Sequence, residues 1–191
     1  DLERKVRAIV DQQEKNGFCF NLHEAIPFLA GLEDELHILE DKAQEIFKPT
    51  EVKLVTKTKY IPFNIGSRKQ IAERLMKRGW KPTHYTDKGN VIVSEEILSK
   101  INMPEAEMFS RYFLLQKRTG LLKAWIKACE DDNRVRGRVM TLRTVTGRMA
   151  HNSPNMAQVP ASYSPYGKEC RSLWTVSNLD THTLIGTDAS G

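Results

Sequence analysis

Residues 145–160 read VTGRMAHNSPNMAQVP, and the fold turns on whether this stretch is an element or a connector. Gly147, Pro154 and Pro160 interrupt it, and Thr146, Arg148, Asn155 and Gln158 make it polar. That mixture fits neither a helix nor a regular strand, so the pattern predicts a shaped loop. On either side lie GRVMTLR (137–143) and CRSLWTV (170–176), which alternate as strands do, followed by HTLIGTDAS (182–190).

Upstream of this region the pattern is helical. Leu2, Val6, Ile9 and Val10 recur at helical spacing until Asn16-Gly17 stops them, and FCF (18–20) is a brief extended piece. Asn21 with Glu24 resembles a capping box and opens a long helix to about Phe47, with Ile26, Leu29, Leu32, Leu36, Leu39 and Ala43 on one face. Residues 48–64 predict an irregular connection with one extended stretch. Ser67 caps a short basic helix that closes on Gly79, and its first turn places Arg68 and Lys69 beside backbone N–H groups, an arrangement suited to anions. A polar loop with a DKGN turn follows. Ser94 starts a small helix, and Pro104 starts a long one to about Glu130, whose inner face is expected to hold Leu114, Leu115, Leu121, Trp125 and Ile126. Helices first and strands last give an α+β class.

The 191 residues carry a net charge of +5, unevenly spread. Residues 1–50 hold 6 Lys/Arg against 11 Asp/Glu, residues 51–90 hold 10 against 3, and residues 91–191 hold 13 against 10. A forty-residue basic block inside a modest total fits a surface for a phosphate backbone, with an ordinary solvated lysine-rich face as the alternative on charge alone. Cys19, Cys129 and Cys170 have no metal-site or disulfide spacing and read as free thiols. No apolar run is long enough to span a membrane, and the N-terminus carries no export stretch, so no membrane partner is expected and the chain is expected in the cytoplasm, that of a host cell if a phage encodes it. The strand-like run at the C-terminus leads to the expectation that the chain is one piece of a longer protein. Taken alone, Asp188 at a strand end reads more readily as a common cap than as an oxygen ligand for Mg²⁺.

The loop VTGRMAHNSPNMAQVP with TDASG downstream resembles the paired signature of the family A (Pol I class) DNA polymerases. FNIGSRKQIAERL (63–75), KPTHYTDKG (81–89), SEEIL (94–98), LLQKRTG (114–120) and SPYGKECR (164–171) are similar to segments of that family in the same order. PNMAQVP and SPYG most resemble the version in short-tailed bacteriophages. The resemblance implies a helical thumb and a partial palm with antiparallel strands: residues 1–20 start the palm, 21–130 form the thumb, and 131–191 form the first half of the palm, ending at TDASG, the family's motif A.

It also implies roles. Asp188 would be the catalytic aspartate, holding with the Ala189 carbonyl one of the two Mg²⁺ ions of the completed active site. Thr146, Gly147, Arg148, Asn155 and Gln158 would lie along primer–template DNA. Arg148 would reach the minor groove at the primer terminus, where every correct pair presents acceptors in nearly the same places, so it would test geometry without reading identity. Asn64, Ser67, Arg68, Lys69, Thr86, Lys88 and the pair Lys117 and Arg118 would contact the duplex, while His151 stays at the surface or beside DNA. The fingers helix for the deoxynucleoside triphosphate and the second catalytic carboxylate are missing. The family pattern therefore calls for a C-terminal polymerase half, as a second chain or a removed continuation, and the 191 residues alone are expected to be inactive. The competing reading is a non-catalytic duplex-DNA-binding module derived from a polymerase thumb, in which Asp188 would have no purpose.

Overall fold

Local signals fix where the helices begin in the computed structural model, which describes residues 1–53 and 57–186. Asp1 accepts from the Glu3 amide at 3.2 Å and caps α1 (Leu2–Asn16). Asn21 accepts from the Glu24 amide at 3.2 Å ahead of α2 (Leu22–Ile46). Ser67 and Ser94 cap α3 (Arg68–Lys77) and α4 (Glu95–Leu98), and Pro104 is the first residue of α5 (Pro104–Ala128). Each cap satisfies an amide that the helix leaves without a partner. Gly17 ends α1 at φ +61°, where a side chain would also meet Arg136 Cγ at 2.8 Å and the Val135 carbonyl at 2.9 Å.

The chain divides into two units, Asp1–Leu29 with Gly120–Gly191, and Ala30–Thr119. The second is helical. Its core gathers Ala43, Phe47, Phe63, Ile71, Leu75, Phe109 and Phe113, among others, and Phe47 packs on Phe63 and Phe109 at centroid distances of 4.6 and 5.7 Å. Arg74 and Arg78 lie over the Phe47 ring at 6.0 and 5.0 Å, so part of the basic block belongs to the fabric of this unit.

Between α2 and α3 the structure departs from the sequence reading. Two strands stand where one extended stretch was expected, β2 (Thr50–Lys53) and β3 (Thr58–Ile61), paired antiparallel from Thr50↔Ile61 to Lys53↔Thr58 and to no third strand among the described residues. Arg74 anchors the base of this hairpin by donating to the Lys48 carbonyl at 2.8 Å and to Thr50 Oγ1 at 2.9 Å.

The other unit is mixed. β1 (Phe18–Phe20) is the centre of a three-stranded antiparallel sheet, flanked by β4 (Arg134–Val135) and by β7 (Trp174–Thr175). Phe20, Trp125 and Trp174 pack edge to face or tilted at 5.0–6.3 Å, with Trp125 fully buried. A separate hairpin joins β5 (Arg138–Met140) to β6 (Ala150–Asn152). CRSLWTV is not a strand throughout: its first residues close α6 (Gly167–Ser172), and only Trp174 and Thr175 pair. Residues 182–186 of the run HTLIGTDAS form no regular element, and 187–191 lie outside the described residues.

Two predicted helix faces shift by one residue. Ile26 is 54% exposed and Ala25 is buried in its place. At about 100° per residue Ile26 falls roughly a quarter-turn off the stripe of Leu32, Leu36, Leu39 and Ala43, whereas Ala25 falls on it. On α5, Leu122 rather than Leu121 is fully buried, beside Leu115 and Trp125. The cysteines are free thiols as expected, with Cys170 buried and burial pushing the Cys129 thiol up. Among the described residues no helix is long and apolar enough to cross a membrane.

Candidate nucleic-acid interface

Two sets of the predicted residues are each built locally. In the helical unit, Asn64 turns the chain into α3: its Oδ1 accepts from the Gly66 amide at 2.8 Å, its carbonyl accepts from the Ser67 amide at 2.9 Å, and its own amide donates to Gln70 Oε1 at 2.8 Å. Ser67 Oγ accepts from the Gln70 amide at 3.4 Å, while Arg68 and Lys69 are exposed in the first helical turn. The guanidinium of Arg68 rests over the Phe113 ring at 5.3 Å. A fixed cation beside first-turn amides, where the helix dipole is positive, suits a phosphate oxygen.

Thr86 and Lys88 lie in the expected turn. Thr86 pairs with Asn90 through its backbone amide at 2.8 Å and with the Asn90 amide through Oγ1 at 3.1 Å, which leaves Lys88 exposed at the tip. Lys117 is exposed, but Arg118 is only 7% exposed, so the pair does not present two cations together. Of the ten basic side chains in residues 51–90, Arg78, with Glu105, is the one that has a carboxylate partner among the described residues.

In the mixed unit, residues 141–149 close the β5–β6 hairpin. Inside that loop Thr144 accepts from the Gly147 amide at 3.0 Å through its carbonyl and donates from Oγ1 to the Arg148 carbonyl at 2.9 Å, with Thr146 Oγ1 3.3 Å away. Gly147 has φ +75°, a conformation a β-carbon resists. Arg148 is exposed and has no ion pair or side-chain hydrogen bond among the described residues. Among the described residues it is therefore no internal salt-bridge partner.

Downstream, the predicted loop is more regular than its composition. Ala150–Asn152 pairs as β6, the Ser153–Pro154 bond is cis, and Met156–Gln158 forms one 3₁₀ turn capped by Asn155, whose Oδ1 accepts from the Ala157 amide at 3.0 Å. Pro154 and Pro160 are buried, leaving Gln158 exposed between them. His151, expected at the surface or beside DNA, is half-buried opposite Val139, and its Nδ1 is buried with no hydrogen-bond partner among the described residues.

Sequence reasoning missed the side chains that hold this loop. Arg171 Nε donates to the Pro160 carbonyl at 2.8 Å. Gly137 allows the approach of the 3₁₀ turn, since a β-carbon there would sit 2.8 Å from the Pro154 carbonyl. Gly167 does the same for the turn before α6, where a β-carbon would run into the Ala161 carbonyl oxygen. From α1, Arg7 Nη1 donates to the Val139 carbonyl at 2.7 Å, Glu14 Oε1 accepts from the Val139 amide at 2.6 Å, and Thr141 Oγ1 donates to Glu3. Arg7 also donates to Glu14 at 3.1 Å and to Asp11, and the bond to Asp11 comes first among the influences that hold its pKa above the ordinary value. Charged residues on a helix face give no hint of such contacts until the partner strand is known.

Asp188 and Ala189 lie outside the described residues, and among those described no group of three or more His, Cys, Asp or Glu side chains could hold a metal ion.

Residues 33–191 match the family model described as DNA polymerase family A. The chain is 36% identical over 152 residues to the DNA-directed DNA polymerases of Escherichia phage T7 and Enterobacteria phage T3, covering 71% of this chain and 22% of each relative. It is 31% identical over 105 residues to DNA polymerase theta of Drosophila melanogaster. Its fold is that of part of the POL domain of Pol1 from M. smegmatis, determined in complex with DNA primer–template and dNTP, with a TM-score of 0.76 at 16% identity over 90% of this chain and 29% of that one. The chain thus spans about a fifth of the phage relatives.

Proposed function

The chain belongs to DNA polymerase family A, and from that premise we propose that it is the thumb and first palm portion of a phage-type, template-directed DNA polymerase. Residues 21–130 act as the thumb, and the segments before and after them as palm. Arg148 carries the reading: it is exposed and without a partner among the described residues, on a loop tied through Thr144 and Gly147, as a side chain that waits for a minor groove must be. Asn155 and Gln158 lie along the same duplex, and Asn64, Ser67, Arg68, Lys69, Thr86, Lys88 and Lys117 supply phosphate contacts that position DNA without reading its sequence. Arg118 is buried and is not counted among these contacts.

Asp188, joined by the Ala189 carbonyl, is proposed as a ligand of Mg²⁺, which favours such oxygen donors. When bound, the metal pair would activate the primer hydroxyl and neutralise charge on the phosphates. The fingers, the second carboxylate and the deoxynucleoside triphosphate site come from a C-terminal half of the polymerase.

The expected result for the purified 191 residues is binding of a primer–template duplex that weakens with salt, and no primer extension. Extension should appear when the remaining palm and fingers are added, and Asp188→Ala should abolish it with duplex affinity nearly unchanged. Duplex affinity indifferent to salt, or extension by the chain alone, would overturn the proposal.

A further inference from the structure

The loop that bears Arg148 cannot aim itself. Every residue from Leu142 to Met149 is exposed or nearly so, and its internal ties among the described residues run from Thr144 to Thr146, Gly147 and Arg148. Its direction is therefore set by the stem, β5 and β6, which is three pairs long. A stem so short is marginal by itself.

The stem is held from outside by α1. Both backbone polar groups of Val139 are taken by α1 side chains, the amide by Glu14 at 2.6 Å and the carbonyl by Arg7 at 2.7 Å, and Thr141 adds its bond to Glu3. At about 100° per residue, positions 3, 7 and 14 fall within roughly 40° of one another on the helix, so one stripe of α1 faces one strand. These side chains occupy the edge of β5 where another strand would pair. The Arg7–Glu14 bond at 3.1 Å braces the two against each other. α1 lies wholly outside the stretch that matches the family, residues 33–191, so nothing in that match assigns it a part.

We infer that Glu3, Arg7 and Glu14 are positioning residues, which set the pitch of the β5–β6 hairpin and thereby the reach of Arg148 to the terminal base pair. The inference rests on the polymerase reading of Arg148. None of the three touches DNA in this scheme. Their loss blurs the distinction between a paired and a mispaired primer end and leaves the grip on the phosphates as it was.

The test uses the 191-residue chain and fluorescence anisotropy of labelled primer–templates ending in a matched or a mismatched pair, each across a salt series. Glu14→Ala removes the acceptor that the Val139 amide and Arg7 share, whereas Glu14→Gln keeps an acceptor of the same shape. Glu14→Ala should lower the ratio of matched to mismatched affinity about fivefold or more, the scale of one arginine contact to a base edge. Glu14→Gln should keep most of the ratio, and the salt slope of both should equal that of the parent. Arg148→Ala separates the two claims. If it removes the ratio and Glu14→Ala does not, the inference fails and the polymerase reading stands. If Arg148→Ala changes nothing, the reading fails and the inference with it. Should circular dichroism find Glu14→Ala unfolded, Thr141→Val, which severs only the Glu3 bond, takes its place, and an unchanged ratio there overturns the inference.

Discussion

Tyr112 is a buried residue whose chemistry can be checked alone. Burial above all, and then the hydrogen bond it donates to Glu40 at 3.0 Å, push its hydroxyl up to about 12. A folded-state value above the ordinary value of about 10 means that the neutral phenol stabilises the helical unit fully below pH 10 and that this contribution is lost as pH rises toward 12. Urea midpoints measured from pH 7 to 11.5 should fall more steeply above pH 10 for the parent than for Tyr112→Phe. At neutral pH Tyr112→Phe should be less stable by about 1 kcal/mol for the missing hydrogen bond. Equal slopes above pH 10 would refute it. At this scale the sequence discloses chemistry unevenly. Asn155 and Ser67 stand out because loops and caps use such residues for local reasons, whereas Arg148 stands out only through the resemblance of its loop to the family. Glu14 and Arg171 do not, since their partners, Val139 and the Pro160 carbonyl, are fixed by tertiary structure.

Among the elements, α3 joins stability and binding. Its cap bond from Ser67 to the Gln70 amide is worth about 1 kcal/mol, so Ser67→Ala should lower the stability of the helical unit by that amount in denaturant titrations. It should also weaken duplex binding, because a frayed first turn no longer holds its amides toward a phosphate. Element starts at Asn21, Ser67, Ser94 and Pro104 were legible because capping is a local signal. The hairpin at 50–61 was not, since Thr/Lys alternation does not say which residues pair across a turn. Nor was α6, where Cys170 to Trp174 has the side chains of a strand. There the backbone is decided by the turn at Ala161 to Tyr166, in which the Gly167 amide donates to the Ser164 carbonyl at 2.8 Å, and by the Arg171 bond to Pro160.

For the molecule as a whole, charge placement outweighs net charge. Replacing Arg68 and Lys69 by Gln should reduce the slope of log affinity against log salt by about 0.9 for each phosphate no longer neutralised. Replacing Lys5 and Lys15, exposed on α1, changes net charge equally and should leave the slope alone. Equal effects would mean that the duplex responds to overall charge and has no seat at α3. Order along the chain was the most legible property, since the same succession of segments that resembles the family carries its match over residues 33–191. The hairpin β2–β3 has a consequence for handling. Among the described residues each of its strands pairs only with the other, so both outer edges are open to a strand from a neighbouring copy. Lys53 and Lys59 put like charges on those strands, which disfavours such pairing. At about 1 M salt, where screening acts within about 3 Å, that repulsion fades. The brine used to strip nucleic acid from a preparation is therefore also the condition that invites copies to zip together edge to edge.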